Sequence, residues 1–298
     1  MNKVKIVTHN ASFHTDDVFA VATLQIFLKD VATEVIRTRD PEIIKTSDFI
    51  VDVGGIHDEK LKRFDHHQFG GAGERENKIP YASFGLVWKA YGEKITGNKS
   101  IADSIDKKLV QYVDAIDNGI DVSKSIFPDV DPYIIQNIAF AFSPTWKEKN
   151  YDTLEAFNTL VSLAKKLLER EIVVVTHKED GMIFAEEIYK KSDDKRLVVM
   201  DEAYPWFEVL SKYPEPLFII YPRPEKGGWS IRAFRKSLPS FEVRKNFPES
   251  WAGKSGEELV KITRIPDVVF CHLKRYLAVT KTKEGAIAIA KLAIESKV

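Results

Sequence analysis

With one cysteine in 298 residues, Cys271, the chain has no intrachain disulfide to make. That scarcity points to a reducing, cytoplasmic setting. No apolar run approaches the ~18 residues of a membrane span, so no membrane partner is expected. The first residues, MNKVKIVTHN, pass straight into a strand-like segment, with no leader peptide expected. Net charge is missing too: 44 Lys and Arg balance 44 Asp and Glu, which gives no support to a generic nucleic-acid coat protein. The balance hides a division. Residues 1–160 hold 19 basic against 24 acidic residues, residues 161–298 hold 25 against 20, and residues 221–283 hold 14 against 6. An acidic half suited to cations is thus joined to a basic stretch suited to a polyanion, with a solvated basic face as the plain alternative.

Apolar runs and helical periodicity alternate in the first third of the chain. VKIVTH (4–9), TEVIRTR (33–39) and FIVDVGG (49–55) read as strands, and DDVFAVATLQIFLK (16–29) as a helix opened by two aspartates. Strands and helices at this spacing argue for crossover units in a parallel sheet, whose ligands gather at the carboxyl ends of the strands. A glycine-rich loop covers residues 68–80. Helical patterns follow, including SIDKKLVQYVDAIDNG (104–119), then a long helical pattern over 151–191. The middle of that pattern, EIVVVTHKEDG, suits a strand equally well, because a β-branched run favours one. From Arg196 onward RLVVMD, PLFIIYPR, WSIRAFR and VVFCHLKRYLAVT read as strands, and GEELVKIT and KEGAIAIAKLAIES as helices. The expected architecture is α/β: a parallel-sheet domain over 1–150, a helical connector over 151–195, and a smaller mixed α/β domain over 196–298.

Four of the seven histidines fall in loop or strand-end motifs that also carry aspartates. THNASFHTDD offers His9, His14, Asp16 and Asp17; VDVGG offers Asp52; RFDHHQ offers Asp65, His66 and His67; VDAIDNG offers Asp114 and Asp117, three apart on one helix turn. Imidazole and carboxylate without thiolate suit Mn²⁺, Fe²⁺, Co²⁺, Zn²⁺ or Mg²⁺ and disfavour a structural zinc site. Two such ions bridged by an aspartate are the common arrangement for phosphate-ester hydrolysis. Each motif also has a bland reading. Asp16 and Asp17 suit a helix N-terminus, Asp52 a strand-end turn, and Asp114 and Asp117 an amphipathic helix surface.

The ordered set HxxxxHxD, VDVGG, RFDHHQ and VDAIDNG resembles the DHH phosphoesterase superfamily and, more closely, the Myg (melanocyte proliferating gene) exonuclease family. FEVRKNFPESWAG, IPDVVFCH and KEGAIAIAKLA in the second half extend the resemblance over nearly the whole chain. It implies a DHH-type first domain and a substrate-binding second one. It implies His9, His14, Asp16, His66 and Asp117 as metal ligands, with Asp52 as the bridging carboxylate, Asp65 behind them and Asp114 as the competitor of Asp117. His67 would face the substrate, holding a phosphoryl oxygen or protonating the leaving group. The implied cofactors are two divalent cations, manganese ahead of magnesium. In the second domain Gly227, Gly228, Arg232, Arg235 and Arg244 are candidates for gripping a phosphodiester backbone. Trp229, Trp251 and Phe241 could stack bases, though core packing accounts for each more simply. Cys271 beside His272 suggests a nucleophile pair, but a buried strand cysteine is the simpler account. One departure stands out: LKRYLAVTK (273–281) replaces a small, glycine-rich segment, which bears on substrate length.

The function expected is a divalent-metal phosphodiesterase, a 3′–5′ exoribonuclease on single-stranded RNA. The alternatives are a phosphoesterase for dinucleotides, oligonucleotides or pyrophosphate, and a non-catalytic nucleic-acid-binding protein. Single-stranded RNA or an oligonucleotide is the expected partner, and a homodimer is allowed for.

Overall fold

The computed structural model describes residues 3–237, 240 and 242–296, so Phe241 lies outside the described residues. The chain divides into two compact units, Met1–Thr176 and His177–Val298.

In the first unit a five-stranded sheet has the order β2-β1-β3-β5-β4. Its strands are β1 (Val4–Thr8), β2 (Thr33–Arg37), β3 (Phe49–Val51), β4 (His57–Asp58) and β5 (Arg63–Phe64). β2, β1, β3 and β5 run parallel and β4 pairs antiparallel on the edge. Ile6, Val7 and all of β3 are buried, as expected for strands covered on both faces. β3 is shorter than the FIVDVGG run. It stops at Val51 because Asp52 turns into the left-handed region at φ 55 and Gly54 and Gly55 follow at φ 97 and 69.

Helices α1 (Thr15–Phe27), α2 (Pro41–Lys45), α3 (Ser83–Thr96), α4 (Lys99–Ile105), α5 (Gln111–Asp117) and α6 (Ile135–Ala141) complete this layer. A π-helical stretch, Asp106–Val110, joins α4 to α5 within what reads as one periodic helix. α7 (Thr153–Lys191) is continuous, EIVVVTHKEDG included. The first-unit core gathers Phe13, Phe19, Phe64, Phe84 and Trp88 with Phe157 and Leu168 of α7.

The second unit is built on a sheet of order β6-β7-β8-β10-β9. Its strands are β6 (Leu197–Val199), β7 (Phe218–Pro222), β8 (Trp229–Ala233), β9 (Val268–Cys271) and β10 (Leu277–Thr280). Only β6 and β7 are parallel among these neighbours. VVFCHLKRYLAVT is therefore a hairpin rather than one strand: His272 N donates to Leu277 O at 2.8 Å, and Arg275 takes φ 57 in the turn. Short α8 (Phe207–Leu210), α9 (Gly256–Thr263) and α10 (Lys283–Glu295) pack here, with Ile289 and Ala290 of α10 buried beside Phe218, Phe247 and Trp251.

Candidate metal centre

The carboxyl ends of three neighbouring parallel strands deliver most of the site. His9 follows β1, Asp52 follows β3, and Asp65, His66 and His67 follow β5. Asp16 and Asp17 enter from the first turn of α1, and Asp117 is the last residue of α5.

Asp52 stands at the middle. One carboxylate oxygen lies 3.2 Å from His9 Nε2; the other lies 3.4 Å from His66 Nε2 and 3.3 Å from His67 Nδ1. Asp117 approaches His66 Nε2 at 3.1 Å and His14 Nδ1 at 3.5 Å. His9, His14 and Asp52 can each turn a ligand atom toward one point, and so can Asp52, His66 and His67, and Asp16, His66 and Asp117; within each group those atoms lie within 4.8 Å of one another. Asp52, buried to 1% exposure and at positive φ, shares two of these groups. An aspartate tolerates that backbone better than most residues, and such strain collects at functional sites.

The electrostatics are those of carboxylates and imidazoles pressed together out of water. Burial alone would raise the Asp52 pKa, yet His66 and His9 hold it below the usual carboxylate range. Burial opposes charging of His66, but Asp117 and Asp52 outweigh it and push its pKa up to about 11. Burial, reinforced by Asp117 and Asp52, raises Asp16 well above normal. Burial also carries Asp17 to about 7 against the pull of His9. His9 Nε2, His66 Nε2, Asp17 Oδ2 and Asp52 Oδ2 are buried and make no hydrogen bond. Buried polar atoms that meet only in ion-pair contacts, without hydrogen-bond geometry, are uncommon in folded proteins, and a converging set of them fits a divalent cation.

Asp16 and Asp17 carry structural duties as well. Asp16 accepts from the Ser83 and Phe84 amides at 3.0 and 2.6 Å, which satisfies the start of α3. Asp17 Oδ1 accepts from His14 N at 3.0 Å and fixes the start of α1, so the helix-terminus reading holds for that oxygen. Its Oδ2 lies 3.3 Å from His9 Nε2. Asp17 is therefore a ligand candidate beside Asp16.

Asp114 and Asp117 part company. Asp114 is fully buried, accepts from Gly85 N at 3.0 Å and from Arg75 Nη1 at 2.7 Å. Burial takes its pKa to about 7 despite Arg75. Of the pair, Asp117 faces the imidazoles. Asp65 accepts from Gly55 N at 2.6 Å and from His67 Nδ1 at 2.8 Å, so it joins the β3 loop to the histidine and orients the ring. His67 itself is 59% exposed at its side chain.

Arg75 was not a sequence candidate. It binds Asp106 and Asp114 and lies over the Tyr81 ring at 4.2 Å, holding the end of the glycine-rich loop to α5. Arg37 donates to the Ala11 and Ser12 carbonyls at 3.1 and 3.2 Å, which steadies the segment between His9 and His14.

The second-unit candidates fall in different surroundings. Gly227 and Gly228, at φ 70 and 79, close the β7–β8 hairpin, and a Cβ on Gly228 would run into the Thr280 carbonyl. Arg232 lines a surface cavity with Arg223, Lys226 and Ser230, next to the Tyr276 ring of the LKRYLAVTK turn. Arg235 lies past the end of β8, bridged to Val243 through the backbone. Arg244 donates to Tyr213 O and Pro216 O at 2.7 and 3.1 Å and stacks on Phe234, so in this structure it clamps those segments together. Trp251 is core and Trp229 is half-buried. Cys271 is buried and its thiol is pushed up to about 12, which suits an inert core residue.

The family model MYG1_exonuc, described as uncharacterised protein family UPF0160, matches residues 5–294. The MYG1 exonuclease of Homo sapiens is 26% identical over 330 residues, covering 98% of this chain and 86% of its own. A MYG1 protein of Schizosaccharomyces pombe is 27% identical over 321 residues, covering 99% and 98%. Among solved structures, RecJ in complex with Mn²⁺ from Thermus thermophilus aligns with 98% of this chain and about half of its own (52%), at 13% identity. The TM-score of that alignment is 0.27. On the match from residue 5 to residue 294, this chain belongs to the MYG1 exonuclease family.

Proposed function

We propose that the protein is a divalent-cation-dependent phosphodiesterase that removes nucleotides from single-stranded RNA in the 3′–5′ direction. The observation that carries the proposal is the set of converging buried atoms without a hydrogen bond on His9, Asp52 and His66, at the ends of parallel strands, and on Asp17 of α1. His9, His14, Asp16, Asp17, Asp52, His66 and Asp117 would hold two cations, Asp52 serving both, with Mn²⁺ preferred to Mg²⁺. When bound, such cations activate water and neutralise phosphoryl charge.

The chain's own groups supply the rest. With its Nδ1 held by Asp65, the His67 ring would turn Nε2 toward a phosphoryl oxygen or the departing oxygen. The second acceptor oxygen of Asp65 stays on Gly55 N, which keeps the pair in register with the β3 loop. Arg223, Lys226 and Arg232 give the second unit a basic cavity suited to a polyanion.

The test is hydrolysis of RNA labelled at either end, of a dinucleotide and of pyrophosphate, with Mn²⁺, Mg²⁺ or chelator. Stepwise shortening from the 3′ end, lost with chelator and lost in Asp52→Asn, is the expected result. Turnover of the dinucleotide or pyrophosphate alone would replace this reading with a small-substrate phosphoesterase.

A further inference from the structure

Phe69 stands two residues beyond His67, and nothing covers its ring: its relative exposure is 108%. Two residues of chain span at most about 7 Å, so the side chain springs from the edge of the histidine pair. Single exposed apolar residues are common and need no explanation by themselves. Here the backbone adds one. Gly71 N donates to Gln68 O at 2.9 Å and Gly70 takes φ 84, a turn with Phe69 at its second position. The loop is tied on both sides. Asp65 holds His67 on one, and Arg75, bonded to Asp106 and Asp114, holds the other. A Cβ placed on Gly70, Gly71 or Gly73 would meet nothing within 4 Å, so the turn that carries Phe69 is itself uncovered at those positions. An exposed aromatic face, carried on a loop tied at both sides and close in sequence to the exposed His67, suits a planar ligand.

We infer that Phe69 stacks on the base of the nucleotide whose phosphate meets His67, forming a base subsite in the first unit. The inference rests on the phosphodiesterase reading above. Phenylalanine offers a π-face and no hydrogen bond, so the subsite accepts every base alike.

The test compares two oligonucleotides that differ only in whether the nucleotide at the attacked end carries its base or is abasic. Phe69→Ala should lose about 5- to 150-fold in kcat/KM on the base-bearing strand, and nothing on the abasic one. Phe69→Tyr should keep wild-type values and Phe69→Leu should not. Equal losses on both strands, or none on either, overturn the subsite. Bound cation, measured by elemental analysis, should be the same in all variants. A second readout stands apart from turnover. The Phe69→Trp protein, corrected for wild-type emission, should be quenched by a nucleoside monophosphate and not by ribose 5-phosphate. Wild-type protein that cleaves no strand with any divalent cation sinks the phosphodiesterase reading. The quenching difference still decides the base subsite, and its absence overturns it.

Discussion

Asp52 combines a left-handed backbone with a carboxylate shared among three imidazoles, so the choice of substitution matters. Asn tolerates the same φ and occupies nearly the same volume, while it removes the charge. Asp52→Asn should melt close to the parent, lose bound cation and lose hydrolysis by several orders of magnitude. Thermal unfolding, elemental analysis and a rate assay check the three parts, and a folded variant with near-parental turnover removes Asp52 from the site. The adjacent histidines should separate. His66→Ala should lower cation occupancy, because His66 faces Asp52 and Asp117. His67→Ala should retain cation and lose turnover, since its exposed ring is oriented by Asp65. Normal occupancy and activity in both would reduce the pair to a polar turn.

Residues at this scale differed in how far the sequence alone exposed them. His9 and Asp52 stand at strand ends that apolar runs announce. Asp17 had a sufficient explanation as a helix-terminal residue, which hid its second oxygen. Arg75 had no local signal, because its partners lie 31 and 39 positions away.

The start of α3 joins the candidate centre to its support. Asp16 occupies the Ser83 and Phe84 amides, and Asp114 occupies that of Gly85. A Cβ at Gly85 would overlap the Asp114 carboxylate and press on the Arg75 guanidinium. Gly85→Ala should therefore destabilise the fold by about 1–3 kcal/mol, which thermal or urea unfolding reads. A melting point equal to the parent would mean that α3 and α5 can part without cost. Elements with a clear apolar run or period, such as β1, α1 and α7, were visible in the sequence. The two-residue strands β4 and β5 were not, because so short a run has no period to read. The π-helical stretch before α5 was hidden because Asp106–Val110 keeps helical apolar spacing while its hydrogen-bond pattern widens. The β9–β10 hairpin was masked because its turn carries Lys274, Arg275 and Tyr276 in place of glycine.

For the molecule as a whole, pH should act on the cation-free protein in a definite direction. His66 holds its proton up to about 11 in the fold and releases it near 6.5 when unfolded. Asp17 and Asp114 hold theirs to about 7 in the fold and release them near 3.8 when unfolded. Across pH ~5–8 the folded form binds more protons than the unfolded, so its stability falls as pH rises. Asp52 runs the other way, but its contribution is already complete above its unfolded value of 3.8. Melting temperature in chelator should thus fall from about pH 5 to 8, and Mn²⁺ should restore more of it at the higher pH, where fewer protons compete. A chelated protein that stabilises over that range would contradict the burial of these groups. In the second unit, Arg232→Ala should reduce the slope of log K against log salt for long single strands by about 0.7, with hydrolysis of a minimal phosphodiester little changed. Equal loss on both substrates would assign Arg232 to the fold. Phe13 lies 5.9 Å from Phe157, and Leu160, Val161 and Leu168 of α7 are buried in the same first-unit core, whereas the ligand candidates end at Asp117. A nascent chain stalled at residue 150 therefore carries every ligand candidate but lacks the α7 side chains of its own core, so the first-unit core can close only once translation has extended into α7.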